Sequence, residues 1–240
     1  KRGCNTDLCR CRFAVMNPEL TYTGPDYQTQ CGCTDIMMHT MERYFNMSEN
    51  MELTDGISEA LIKTVMKHSK ILKEHPDCYE SRAEVMWASS LSHNDLTGCG
   101  TDGGDWACHQ LEHEIGGMFD VAHGAGLAAV WGSWARYVYK ARPERFAKFA
   151  RNIFNIQETD DEKAAVAGIE AMENYYRSVG MPTSLCELGI HATEEQIKEM
   201  ADKCSFYGKR TVGVMKKIGA PEAAEIYRMA NDKSIPLYSR

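Results

Sequence analysis

Eight histidines occur in the chain, and four of them keep company that suggests chemistry: His39 with Asp35, and His109 with His113 and His123. Asp35 and His39 stand four residues apart, as do His109 and His113, so on a helix each pair points to one face. His123 follows His109 by 14 residues. On one straight helix that interval spans about 21 Å, at about 1.5 Å per residue. Two imidazoles sharing one metal have nitrogens no more than about 4.2 Å apart, since each bond is about 2.1 Å. A shared ion therefore requires the chain to turn back between them. Gly116, Gly117 and Asp120 offer a helix stop, and Gly124 and Gly126 offer freedom after His123.

One carboxylate with three imidazoles suits a first-row divalent ion such as iron or zinc. With a position left open, such a centre acts as a Lewis acid toward an alcohol or an aldehyde oxygen. Histidine pairs at this spacing also serve as plain surface or packing pairs, so the inference rests on the five residues together. His68, His75, His93 and His191 read as surface or satisfied core residues. Competing helical metal sites fail on spacing: there is no H-E-x-x-H, no Glu-x-x-His and no adjacent His-Asp pair.

The elements that must carry these residues are helical. Pro25-Asp26 opens a helix to about Phe45, Thr54-Asp55 opens the next, and residues 79–97 read as a third. Gly98 to Gly104 is a glycine-rich loop without the strand–turn–helix context of a phosphate site. Helices follow from Trp106 to Met118, from His123 to Lys140, and from Pro143. Thr159 to Glu162 caps another that Gly180 and Pro182 end, and the last two open at Thr193 and Pro221. Only residues 12–16 read as a strand. The expectation is a mainly α, multi-helix fold of about nine helices with a short extended N-terminal lead-in.

The chain has 240 residues and a net charge of -7, with 43% hydrophobic and 25% charged residues, an ordinary globular composition. That balance gives no general attraction to nucleic acid or an anionic membrane. No apolar stretch approaches the 18 residues or so of a spanning helix. The ten cysteines include no C-x-x-C pair. Free thiols in a reducing compartment are the expectation, against a minority reading of a metal or cluster site at Cys4, Cys9, Cys11, Cys31 and Cys33. Trp106, Phe119 and Trp131 are candidate pocket-lining aromatics, each also suited to a core.

Taken together, the motifs resemble a known family. His109-x-x-x-His113-x-x-Gly116, followed by His123-Gly124 and the small-residue run Ala125 to Ala129, is similar to the signature of the iron-containing (group III) alcohol dehydrogenases. Asp35-x-x-x-His39, with Glu42 a turn further on, resembles the upstream metal motif of that family. Asp105 to His109, Trp134 to Lys140, Phe13 to Pro18, Thr21 to Thr23 and Gly180 to Gly189 resemble its butanol-dehydrogenase-like branch. Ile36, Ala122 and Gly24 depart from that pattern.

The resemblance implies Asp35, His39, His109 and His123 as metal ligands, and His113 as a catalytic proton relay beside substrate and nicotinamide. It implies Fe(2+), with Zn(2+) a competitor for the same donors, and NAD(P)H as hydride carrier. The substrate would be a small primary alcohol or aldehyde, butanol- or butanal-like, and the enzyme a cytoplasmic homo-oligomer without nucleic-acid or membrane partners. The fold implied is the dehydroquinate-synthase-like C-terminal helical domain, over residues 25–240. Residues 1–24 would form the extended junction to an N-terminal nucleotide-binding domain. The Gly-Gly-Gly-Ser-type loop of that domain does not occur in this sequence, so the chain reads as the helical half of a longer dehydrogenase. A reading from another class is a non-catalytic metal-binding helical interaction module.

Overall fold

The computed structural model describes residues 6–232. Its regular structure is helical: α1 (Asp26–Tyr44), α2 (Glu52–Glu74), α3 (Tyr79–His93), α4 (Ala107–Phe119), α5 (His123–Val138), α6 (Pro143–Phe154), α7 (Asp161–Ser178), α8 (Glu194–Cys204) and α9 (Ala220–Asn231), with short 3-10 turns between them. Among the described residues, β pairing is confined to one isolated antiparallel bridge, Val212 with Ile218.

Local chemistry explains most boundaries. Asp160 caps α7 by accepting from the Lys163 N–H, and Thr193 with Gln196 forms a reciprocal capping box on α8. Pro143 and Pro221 sit in first turns, where a missing N–H costs nothing. Three expectations need correction. Residues 12–16 form no strand: among the described residues no partner strand lies beside them, Phe13 and Val15 stand 82% and 85% exposed, and an unpaired strand has nothing to hold it. The third helix stops at His93 rather than 97, because Asp95 turns left-handed at φ 69°. The second begins at Glu52, two residues before Thr54.

Helix α5 forms the centre. Every residue from Gly124 to Ala135 is buried, as expected of a helix apolar on all sides. It packs against α1, α4, α7 and α9. Trp134 meets Phe45 and Phe146, and Phe45 stacks on Phe146 with ring centroids 4.3 Å apart. Trp131 lies wholly within this core, so it lines no pocket.

Ion pairs tie the helices at fixed points. Arg145 of α6 grips Asp55 of α2 through both guanidinium nitrogens, at 2.6 and 2.5 Å, and Lys148 adds a third contact at 2.5 Å. The same Arg145 donates from Nε to the Tyr44 carbonyl at 2.7 Å, which anchors the end of α1. Among the described residues, no helix is long and apolar enough to cross a membrane.

Candidate metal centre

The turn demanded by the His109–His123 spacing is present. Helix α4 runs through Gly116 and Gly117 without a break and ends at Asp120, which adopts the left-handed conformation at φ 52°. Helix α5 starts three residues later, at His123. The two rings come within 5.2 Å, centroid to centroid.

Two glycines permit this approach. A Cβ on Gly124 would lie 2.0 Å from the Cys31 carbonyl oxygen, so only glycine lets the first turn of α5 sit against α1. A Cβ on Gly126 would lie 2.9 Å from Cγ of Glu112. The space it leaves holds a carboxylate wanted by His123.

Three imidazoles from three helices surround one carboxylate oxygen. Nε2 of His109 lies 3.3 Å from Oδ1 of Asp35, and Nε2 of both His39 and His123 lies 3.6 Å from it. These separations are longer than a good N–H···O hydrogen bond, which centres near 2.9 Å. They match the edge of a tetrahedron of donors around one ion: with bonds of about 2.1 Å, neighbouring donors stand about 3.4 Å apart. Asp35, His39 and His109 each place a donor within 4.8 Å of the other two, whereas His123 groups with Glu112 and His113, so the donor set suits one divalent cation once His123 closes on the other three.

Buried carboxylates orient two of the rings from behind. Glu42 is fully buried; Oε2 accepts from Nδ1 of His109, and Oε1 accepts from the His109 backbone N–H at 3.0 Å. Glu112, also fully buried, accepts from Nδ1 of His123. A hydrogen on Nδ1 leaves the Nε2 lone pair free, and in both residues Nε2 is the atom beside Asp35. His39 differs: its Nδ1 is buried without a hydrogen-bond partner.

The approach to α4 is fixed by Asp105. Its backbone N–H donates to the Glu42 carbonyl at 2.7 Å. Its carboxylate accepts from the N–H groups of Ala107, Val214 and Met215 at 3.2, 2.8 and 2.9 Å. Burial lifts the Asp105 pKa to about 6 in spite of those donors.

Electrostatics follows the same pattern. Burial opposes the charge on Asp35, but the His109 hydrogen bond and the imidazoles of His39, His109 and His123 outweigh it, and its pKa falls below the ordinary range. Burial and the neighbouring His109 push His39 well down, which keeps it neutral and able to ligate. His109 runs the other way: burial works against its cation, yet Glu42 and Asp35 pull harder and the net shift is upward, so a cation binding at Nε2 would have to displace a proton there.

His113 stands apart from Asp35. Its ring centroid is 6.3 Å from that of His109 and 5.8 Å from that of His123, beside the cluster on its half-exposed flank. Two residues at the site escape a reading of spacing. Glu112 gave no signal, because its partner His123 reaches it only after the chain folds back. His93 reads as surface, yet its ring lies 3.9 Å from that of His39. Trp106 belongs here too, with ring centroids 5.3 Å from His39 and 5.5 Å from His109; Phe119 is only half-buried. The nine described cysteines are all free, and the side-chain clusters among the described residues that could hold a metal contain none of them. Cys4 lies outside the described residues.

Known proteins agree with this architecture. The chain is 36% identical over 230 residues to NADH-dependent butanol dehydrogenase A of Clostridium acetobutylicum, an alignment covering 95% of this chain and 58% of that protein. It is 31% identical over 219 residues to the NADPH-dependent aldehyde reductase YqhD of Escherichia coli, covering 91% and 56%. The crystal structure of a NADH-dependent butanol dehydrogenase A from Thermotoga maritima superposes with a TM-score of 0.84 at 35% identity, over 90% of this chain and 55% of that one. The chain thus spans little more than half the length of these relatives. The model of the Fe-containing alcohol dehydrogenase family's C-terminal region matches residues 29–230, and the chain belongs to that family.

Proposed function

We propose that this chain is the metal-holding catalytic half of an NAD(P)-dependent alcohol dehydrogenase that interconverts a small primary alcohol, of the butanol class, and its aldehyde. The observation that carries the reading is the ring of three Nε2 atoms around Oδ1 of Asp35, two of them aimed by buried carboxylates. Asp35, His39, His109 and His123 would hold the ion, Fe(2+) by family and Zn(2+) by donor chemistry. When bound, such an ion polarises an alcohol or carbonyl oxygen and favours the charged form of the substrate.

The residues of this chain have distinct tasks. Glu42 and Glu112 keep the Nδ1 protons of His109 and His123 in place, so Nε2 always faces the centre. His113, on the open flank, takes the hydroxyl proton of the alcohol and passes it toward solvent, as a neutral imidazole can near neutral pH. Helices α1, α4 and α5 fix the substrate's oxygen end, so the carbon bearing the hydride keeps one orientation. The nicotinamide would be held by a nucleotide-binding domain outside these 240 residues. The alignments take up only 58% and 56% of the two curated relatives, which supports that division. A cytoplasmic homo-oligomer is part of the same proposal.

Fusing this chain to the nucleotide-binding half of the Clostridium acetobutylicum relative tests it. We expect butanal reduction with NADH by the fusion, none by the 240-residue chain alone, and none by a His123→Ala fusion. A folded, metal-loaded fusion that turns over no primary alcohol or aldehyde would favour the non-catalytic metal-binding module instead.

A further inference from the structure

Of the three imidazoles around Asp35, His39 alone lacks an acceptor behind its ring: Nδ1 is buried and unpartnered, while His109 and His123 lean on Glu42 and Glu112. A ligand imidazole free to rotate about its side-chain bonds holds a metal poorly, which is why most donate the second ring nitrogen to a fixed acceptor. Something else must orient His39. Besides the ring of His109, 4.5 Å away and edge-on, two further aromatic rings border it. His93 lies 3.9 Å away at 34° between planes, and Trp106 lies 5.3 Å away edge-on at 76°.

Both of these rings are themselves fixed. Nδ1 of His93 donates to the Ser89 carbonyl at 3.0 Å and contacts the Ser92 hydroxyl at 2.7 Å. Trp106 donates from Nε1 to the Gly103 carbonyl at 2.5 Å. Arg43, one turn beyond His39 on α1, draws the two together. Its guanidinium bonds the Ser92 carbonyl at 2.5 Å and Asp95 at 2.9 Å, and lies 4.9 Å from the Trp106 ring centroid.

We infer that His93 is a positioning residue of the metal centre, which with Trp106 clamps the His39 ring by aromatic packing where the other two ligands use a carboxylate. This rests on the metal-centre reading above. It assigns His93 a role through its ring face rather than through a nitrogen. Nε2 of His93 does point toward Asp35, at 3.9 Å from Oδ2, so ligation by His93 is the competing outcome that the test must separate.

The test is a cobalt(II) titration of the 240-residue chain against a competing chelator, read by affinity and by the visible ligand-field bands. The comparison is wild type, His93→Ala and His93→Phe. Loss of the clamp in His93→Ala is expected to weaken cobalt binding by about 10- to 100-fold, the usual cost of removing an orienting partner. It should also broaden or shift the bands. His93→Phe keeps a ring but no nitrogen, and is expected to restore affinity to within about threefold of wild type. Wild-type affinity in His93→Ala overturns the inference, and so does His93→Phe binding as weakly as His93→Ala, which would make the nitrogen the working part. Absence of cobalt binding by folded wild-type chain overturns the underlying metal-centre reading instead. Thermal unfolding of the metal-free variants separates these outcomes from loss of fold, because the His93 side chain is 40% exposed.

Discussion

Glu42 serves two groups at once: it accepts from an unpaired N–H in the first turn of α4 and from Nδ1 of His109. A buried carboxylate without such partners would cost several kcal/mol, so its full burial is tolerable only because both oxygens are used. Glu112, also fully buried, accepts from Nδ1 of His123 across the α4–α5 turn. Changing either to Gln puts an N–H where an acceptor is needed or weakens the charge behind the ring. Metal affinity should fall by about 10- to 100-fold in Glu42→Gln and in Glu112→Gln, measured by chelator competition, with the helical signature intact. Unchanged affinity in both would mean that these carboxylates serve folding alone. That Asp35, His39, His109 and His123 come together was legible in helical spacing, residue type and the family resemblance taken together. Glu112 and His93 were left unread. A carboxylate three residues after a histidine is common on helices, and only the reversal at Asp120 brings Glu112 to His123. His93 becomes informative only when α3 is laid beside α1.

At the scale of elements, the site depends on how closely α5 meets α1. Gly124→Ala would place a methyl 2.0 Å from the Cys31 carbonyl. Backbone cannot yield as a flexible side chain would, so α5 must shift and carry His123 with it. Overpacking of this kind costs about 1–3 kcal/mol. We expect a lowered midpoint of thermal unfolding together with weakened metal binding; a variant with both unchanged would show that the contact is not required. Helix starts were largely legible, since caps and first-turn prolines act locally. Helix ends were less so. The stop at His93 depends on left-handed backbone at Asp95, and the one at Phe119 on Asp120, and neither carries the glycine that usually announces such a turn. The strand read at 12–16 failed for the same reason: its residue types suit a strand, but pairing is not a local property.

For the molecule as a whole, two kinds of interaction hold the helices in register around the centre. Apolar burial is concentrated on α5, and buried ion pairs fix its neighbours. Asp55 shows how acid would act. Burial raises the cost of its charge, but Arg145 and Lys148 outweigh that and its pKa falls below the ordinary value. With the folded value depressed, the contribution is complete above the unfolded pKa of about 3.9 and fades as pH falls through the folded one. Asp55→Asn leaves Arg145 buried without its charge partner, and should cost about 3 kcal/mol at neutral pH, toward the low end for a broken buried pair because Lys148 is partly exposed. Denaturant unfolding should show the gap from wild type closing below about pH 4; a gap that persists there would assign the loss to packing.

Asp35, His39, His109 and His123, from three helices, are the side chains we propose to grip one divalent ion. Metal content per chain, measured after equilibration with Fe(2+) or Zn(2+) and gel filtration, tests this proposal in wild type and in Asp35→Ala, His39→Ala, His109→Ala and His123→Ala. One ion per wild-type chain, with affinity falling sharply in each variant, is the expected result. Stoichiometric, tightly held metal in Asp35→Ala or His123→Ala, or none in the folded wild type, would contradict it.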